Sequence, residues 1–171
     1  MTRIRDLRLI DRGGGMKTRL LRDIEVSEVG MGCMAFSHGY GQIPPEEYSV
    51  EAIRNAYRKG CTFFDTAEIY SPNLSGIGHN ERIVRKALHG VREQVVIATK
   101  LFLNGFEAIG RGSVYNAVRR HLEGSLKRLG TDWVDIYYLH RMGGVSVEKI
   151  AEAMGRLMED GLIRGWGLSQ V

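Results

Sequence analysis

Several short apolar runs in this chain stop at side chains that can hold or move a proton. Phe63-Phe64 stops at Asp65, with Tyr70 in the loop beyond it; the run from Val95 stops at Lys100, the run from Val134 at His140, and the run from Ile163 at Ser169 and Gln170. A carboxylate, a phenol, an ammonium and an imidazole brought together are the groups of general acid–base chemistry. Schiff-base chemistry at Lys100 also suits a strand-end lysine, but it leaves Asp65, Tyr70 and His140 without a part. Singly, each has an ordinary reading: Asp65 as a loop bond, Tyr70 as a packing residue, Lys100 as a surface lysine. Together, at the ends of successive strands, they outweigh those readings, because parallel strands deliver their C-terminal residues to one face of a sheet.

The elements that must position them alternate. Alternating polarity over 17–28, with Arg22-Asp23 as a turn, predicts a short hairpin. Pro44-Pro45 and Glu46-Glu47 suit the start of a helix over 46–59, which Gly60 stops before a strand over 61–64. Helices follow over 80–88, with Asn80 as cap, over 113–129, ended by Gly130, and over 147–159, ended by Gly161. Strands over 95–99, 133–139 and 163–168 lie between and after them. The pattern predicts an α/β fold of about five parallel strands joined by right-handed crossovers. Gly30-Met31-Gly32-Cys33-Met34-Ala35 matches a dinucleotide fingerprint in letters only, since the stretch is itself strand-like and a loop, not a helix, follows it.

Composition sets the limits. The 171 residues, 43% hydrophobic and 26% charged, allow one domain of ordinary size, with no apolar run near the roughly 18 residues of a membrane span. Cys33 and Cys61 have no metal or disulfide spacing and read as buried thiols. Up to Arg22 there are seven basic and two acidic residues, against 17 and 18 in the remainder, so the net charge of +4 is an N-terminal feature rather than a nucleic-acid-binding face. Gly13-Gly14-Gly15 before Met16 marks 1–15 as a disordered leader, with the domain over 16–171. No metal site is expected: His79 and Glu81 belong to a helix start, and His121 has no partner at helical spacing. The charges around Arg119 and Arg120 read as a solvated face.

Gly32-Cys33-Met34, Phe63 to Tyr70, Asn80-Glu81, Ile97 to Lys100, Asp135 to Arg141 and Gly165 to Ser169 together resemble the aldo-keto reductase family. The resemblance implies a (β/α)8 barrel of TIM type with an N-terminal hairpin, and reduction of an aldehyde or ketone to an alcohol with NADPH, or NADH in its place. It carries the family's catalytic tetrad onto Asp65, Tyr70, Lys100 and His140. It places Ser169 and Gln170 at the nicotinamide carboxamide, with Asp65, Gly32 and Met34 also beside the cofactor. His140, Phe36, His38 and Tyr40 would face the substrate. The chemistry is coherent: a phenol holds its proton at neutral pH, an adjacent ammonium favours giving it up, and a carboxylate keeps that ammonium charged and aimed. An imidazole donor polarises the carbonyl.

An eight-stranded barrel takes about 250 residues, and this sequence ends after its fifth predicted strand. The expectation is therefore a partial barrel bearing the tetrad but not most of the cofactor cradle, weakly active or inactive alone. Its strand edges, near Gly32 and Leu168, would be covered by another copy or a complementing fragment. The remaining partner expected is a small carbonyl compound, with neither nucleic acid nor membrane, in the cytoplasm. The alternative is a non-catalytic, barrel-derived module that binds nucleotide or a protein partner.

Overall fold

The computed structural model describes residues 16–39, 41–73, 76–104, 106, 112–141 and 143–170. The expected leader over 1–15 and Tyr40 lie outside the described residues. The hairpin is present: β1 (Thr18–Leu21) runs antiparallel to β2 (Ile24–Ser27) across a turn in which Arg22 has φ 59°. Positive φ in a two-residue loop matches the twist of the strands it joins.

The other strands form one parallel sheet whose spatial order is its chain order. β3 (Met31–Gly32), β4 (Phe63–Asp65), β5 (Val96–Leu101), β6 (Val134–Arg141) and β7 (Ile163–Gln170) are each hydrogen-bonded to the next. The crossovers carry α1 (Glu46–Arg58), α2 (His79–Ala87), α3 (Val114–Leu129) and α4 (Val147–Glu159). This is the expected partial barrel of five parallel strands, and β3 and β7 are its open edges.

Local rules set most boundaries. Ser113 caps α3 by accepting a hydrogen bond from the Asn116 amide, and Gly130 ends the helix at φ 69°, a conformation that costs glycine little. Two expectations need correction. Asn80 does not cap α2: Gly78 precedes the helix at φ 75°, and Asn80 lies inside the first turn, fully buried. Its amide is taken by more distant partners, donating to the Cys33 carbonyl at 2.8 Å and to Ser37 Oγ at 2.7 Å. The stretch 30–35 is strand only at Met31–Gly32, after which Met34–Phe36 winds into a single 3-10 turn.

The two faces of the sheet have separate cores. The helix side holds Phe64, Leu101, Tyr137 and Leu139 against Ile53, Val84, Leu122 and Leu157. On the other face Val96, Ala98 and Ile136 pack against Ile24 and Val26, so the hairpin closes this face at its N-terminal end. Strand side chains alternate between faces, so Asp65 follows Phe63, Lys100 follows Val96 and Ala98, and His140 follows Ile136 and Tyr138 onto the hairpin face, beyond the part the hairpin covers.

The strands are also stapled at their starts. The Asp135 carboxylate, 2% exposed, accepts the Ile97 amide at 2.9 Å and pairs with Arg92 at 3.0 Å and Arg164 at 2.9 Å, joining β5, β6 and β7. Removing one member of such a buried set leaves the others uncompensated. Asp135→Ala is expected to lower unfolding free energy by about 3 kcal/mol, read as a shifted urea midpoint. An unchanged midpoint would show the staple to be energetically idle.

Candidate active site

Lys100 is the centre of the site. Its ammonium, almost fully buried at 7% exposure, donates to Asp65 Oδ1, to the Thr66 carbonyl at 2.9 Å and to the Tyr70 hydroxyl at 3.2 Å. These three acceptors match the three donors of an ammonium, so burial leaves none unpaired. The position follows from strand register. Lys100 sits beside Tyr138 across β5 and β6, while Asp65 sits beside Ala98 across β4 and β5, one step away on the same face.

Tyr70 arrives by a loop that keeps pairing with β5 after β4 has ended. The Thr66 amide donates to the Ala98 carbonyl at 2.9 Å and the Glu68 amide to the Lys100 carbonyl at 3.3 Å, and the chain then turns so that the Tyr70 amide meets the Ala67 carbonyl at 3.2 Å. The phenol returns over Lys100, whose Nζ lies 4.9 Å from the ring centre. At the end of β6, His140 meets Tyr70 edge to face, with ring centres 5.5 Å apart and planes at 85°.

Electrostatics separate these groups. Burial raises the Asp65 carboxyl above its ordinary value, and the adjacent Lys100 only partly opposes the rise. Burial first, then the positive charges of Lys100 and Arg141, push His140 down to about 4, so its imidazole is neutral at pH 7. Its Nδ1 is buried without a hydrogen-bond partner. The four groups can hold a transferable proton on a phenol, beside a fixed cation and a neutral imidazole donor.

Of the other residues expected here, Ser169 and Gln170 end β7, both exposed on the open edge strand. Gly32 pairs with Asp65 across β3 and β4, and a side-chain carbon at Gly32 would meet nothing within 4 Å. Met34 is half-buried and His38 exposed. Phe36 is not brought to the site: the 3-10 turn directs it into the helix-side core. A cavity of about 400 Å³ runs between hairpin and sheet, reaching Gly32, Asp65 and Tyr138. A larger hollow of about 770 Å³, between the starts of α3 and α4, lies away from these groups.

Two participants escaped the sequence reading. The Thr66 carbonyl takes one Lys100 donor, and nothing in a side-chain pattern announces a backbone acceptor. Tyr138 lies on the site's face with its phenol raised by burial and by Asp65, and its ring would stand 2.9 Å from a side-chain carbon at Gly167. Its place two residues before His140 on β6 was the available signal.

A parallel half-barrel with the half-buried Asp65 and the buried Tyr70, Lys100 and His140 gathered at one end of its strands defines the fold class as α/β. The comparisons make the class specific. The family model described as Aldo/keto reductase family matches residues 28–171, and the chain belongs to that family, one of oxidoreductases. It is 37% identical over 150 residues to the Glycine max protein named "Probable aldo-keto reductase 1", a match spanning 85% of this chain and 42% of that protein. Among solved structures it resembles an aldo-keto reductase from Klebsiella pneumoniae in complex with NADPH, at 32% identity and TM-score 0.69, over 86% of this chain and 46% of that one. It also resembles the holo form of aldo-keto reductase AKR11C1 from Bacillus halodurans, at 27% identity and TM-score 0.71, over 97% of this chain and 51% of that one. The chain thus spans about half the length of these relatives.

The depressed His140 value gives a signed expectation. Between about 4 and the ordinary histidine value of 6.5 the unfolded chain binds a proton that the folded chain refuses, so His140 makes stability rise with pH across that window. Denaturation midpoints from pH 4 to 7 should steepen on that account, and His140→Gln should flatten that part of the profile. A His140 imidazole that titrates near 6.5 by NMR would contradict this environment.

Proposed function

We propose that the protein reduces an aldehyde or ketone to an alcohol with NADPH, or NADH in its place, and that Tyr70 is the general acid. The observation that carries this reading is the buried Lys100 ammonium, held between the Asp65 carboxylate and the Tyr70 hydroxyl. As a substrate carbonyl oxygen takes on alkoxide character, the Tyr70 hydroxyl gives it a proton. Lys100 offsets the charge left on the phenol oxygen, and Asp65 keeps the ammonium in place. His140, neutral at pH 7, donates a hydrogen bond to the same carbonyl oxygen and fixes its direction. Preorganised donors at a developing oxyanion are commonly worth two to three powers of ten in rate, roughly 3–4 kcal/mol.

The residues present fit the nicotinamide end of a dinucleotide. The exposed Ser169 hydroxyl and Gln170 carboxamide at the end of β7 suit a carboxamide group, and the open space at Gly32 admits a ring beside Asp65. Bound there, a reduced nicotinamide supplies the hydride. Met34 and the exposed His38 would flank the entrance. We place the rest of the cradle in the half of the barrel that the relatives carry outside the matched region, or in a second copy or complementing fragment paired along β7. No described helix is long and apolar enough to cross a membrane, and we propose the cytoplasm as the site of action.

The open β7 edge, with Ser169 and Gln170 exposed on it, also favours a second reading: a barrel-derived module that binds nucleotide or a protein partner without turnover. The two part at Tyr70. With NADPH and a simple aldehyde, Tyr70→Phe should cut the rate by about 10²–10⁴-fold while nucleotide fluorescence quenching persists. An unchanged rate would remove Tyr70 as the acid, and quenching without turnover in either form would favour the module. A polypeptide of these 171 residues alone should oxidise NADPH weakly, and robust turnover by a monomeric preparation of that length would overturn this expectation.

A further inference from the structure

A second cluster of charge lies on the helix side of the sheet, behind the site. Glu81 is fully buried and Glu68 is 4% exposed. Glu81 accepts the Thr99 hydroxyl at 2.8 Å through one oxygen and the Arg128 guanidinium through the other. Glu68 accepts the Phe102 amide at 2.9 Å through one oxygen, while its other lies 2.9 Å from His121 Nδ1 and 3.7 Å from Arg128. Arg128 reaches inward past Gly78, where a side-chain carbon would come within 1.9 Å of its Cδ. The phenol of Tyr137 is buried near the same two carboxylates.

The connections favour a positioning role. Buried ion pairs are poor stabilisers, since desolvation consumes much of what the pairing returns. These, however, tie together the two segments whose relative register decides the site. Glu68 belongs to the loop that carries Tyr70, and Phe102 belongs to the chain leaving the strand that carries Lys100. The Glu68 backbone makes the same link a second time, its amide donating to the Lys100 carbonyl at 3.3 Å. Thr99, next to Lys100, is held from behind through Glu81 and Arg128. The Tyr70 hydroxyl and the Lys100 ammonium meet at 3.2 Å, a contact that a slip of the loop by half an ångström would weaken.

We propose that Glu68 is a positioning residue, which clamps the Tyr70 loop to the end of β5 and so sets the contact between Tyr70 and Lys100; this rests on the reading of those two residues given above. Glu68 touches neither the phenol nor the ammonium. It acts through the Phe102 amide, with His121 and Arg128 holding its second oxygen.

The test compares Glu68→Ala, Glu68→Gln and Tyr70→Phe. In NADPH-linked carbonyl reduction Glu68→Ala should lower kcat at least about tenfold with the NADPH Kd within about twofold, and Glu68→Gln, whose amide oxygen still accepts the Phe102 N–H, should recover most of that loss. Independently of turnover, Glu68→Ala should speed hydrogen exchange at the Phe102 amide about tenfold or more and move the ring resonances of Tyr70 but not of the distant Tyr57. If Tyr70→Phe abolishes turnover while Glu68→Ala leaves kcat intact, the clamp is wrong and the acid assignment stands. Unmoved Tyr70 resonances in Glu68→Ala likewise overturn the clamp. If Tyr70→Phe turns over normally, the acid assignment falls and the proposal falls with it.

Discussion

Burying one ammonium constrains the rest of this molecule. A lysine head group taken out of water loses several kcal/mol of hydration unless all its donors find acceptors and a counter-charge stands close. Lys100 meets that demand with the Asp65 carboxylate, the Thr66 carbonyl and the Tyr70 hydroxyl. Each acceptor comes from β4 or the loop after it, so the lysine is satisfied only while β4 and β5 lie parallel and in their observed register. The sheet, the hairpin under it and the helices behind it together keep that register.

The same constraint sorts the titrating groups. A carboxyl beside an ammonium would ordinarily fall below its usual value, yet Asp65 rises, because burial outweighs the partner. His140 moves the opposite way: burial disfavours its charged form, and Lys100 and Arg141 disfavour it further. One cation thus favours ionisation of the acid and opposes protonation of the imidazole. The His140 ring can then stand with its centre 5.5 Å from that of Tyr70 without bringing a second positive charge beside Lys100. Such separation of neighbouring groups is the usual physical mark of acid–base sites.

Features governed by neighbours in sequence were legible before any coordinates. Ser113 and Gly130 bound α3 by local capping and by φ, and both fall where the sequence puts them. Strand alternation put Asp65, Lys100 and His140 on one face for the same reason. Features governed by tertiary partners were not legible. Asn80 is a good cap by type, but its amide is committed to Cys33 and Ser37, more than forty residues earlier in the chain. His121 shows no partner at helical spacing in the sequence, and the partner it meets, Glu68, is 53 residues away. Arg128 reads as one more charge on a solvated helix, yet it reaches inward to the fully buried Glu81.

These tertiary partners brace the five described strands around the Asp65, Tyr70, Lys100 and His140 cluster. A closed barrel fixes each strand by pairing on both sides; here β4, β5 and β6 each have a paired neighbour on both sides, with β5 at the centre of the sheet. Lys100 and His140 stand on β5 and β6, and Asp65 ends β4, so the whole set sits inside the sheet rather than on an edge. The charge cluster of Glu68, Glu81 and Arg128 adds a brace from the helix side at the strand ends, where hydrogen-bond ladders give out. Ser169 and Gln170, by contrast, belong to β7, whose outer side has no neighbour among the described strands. The proton-handling half of the proposed chemistry therefore rests on internal strands, and the nucleotide-holding half rests on an edge, where a further strand would have the most to add.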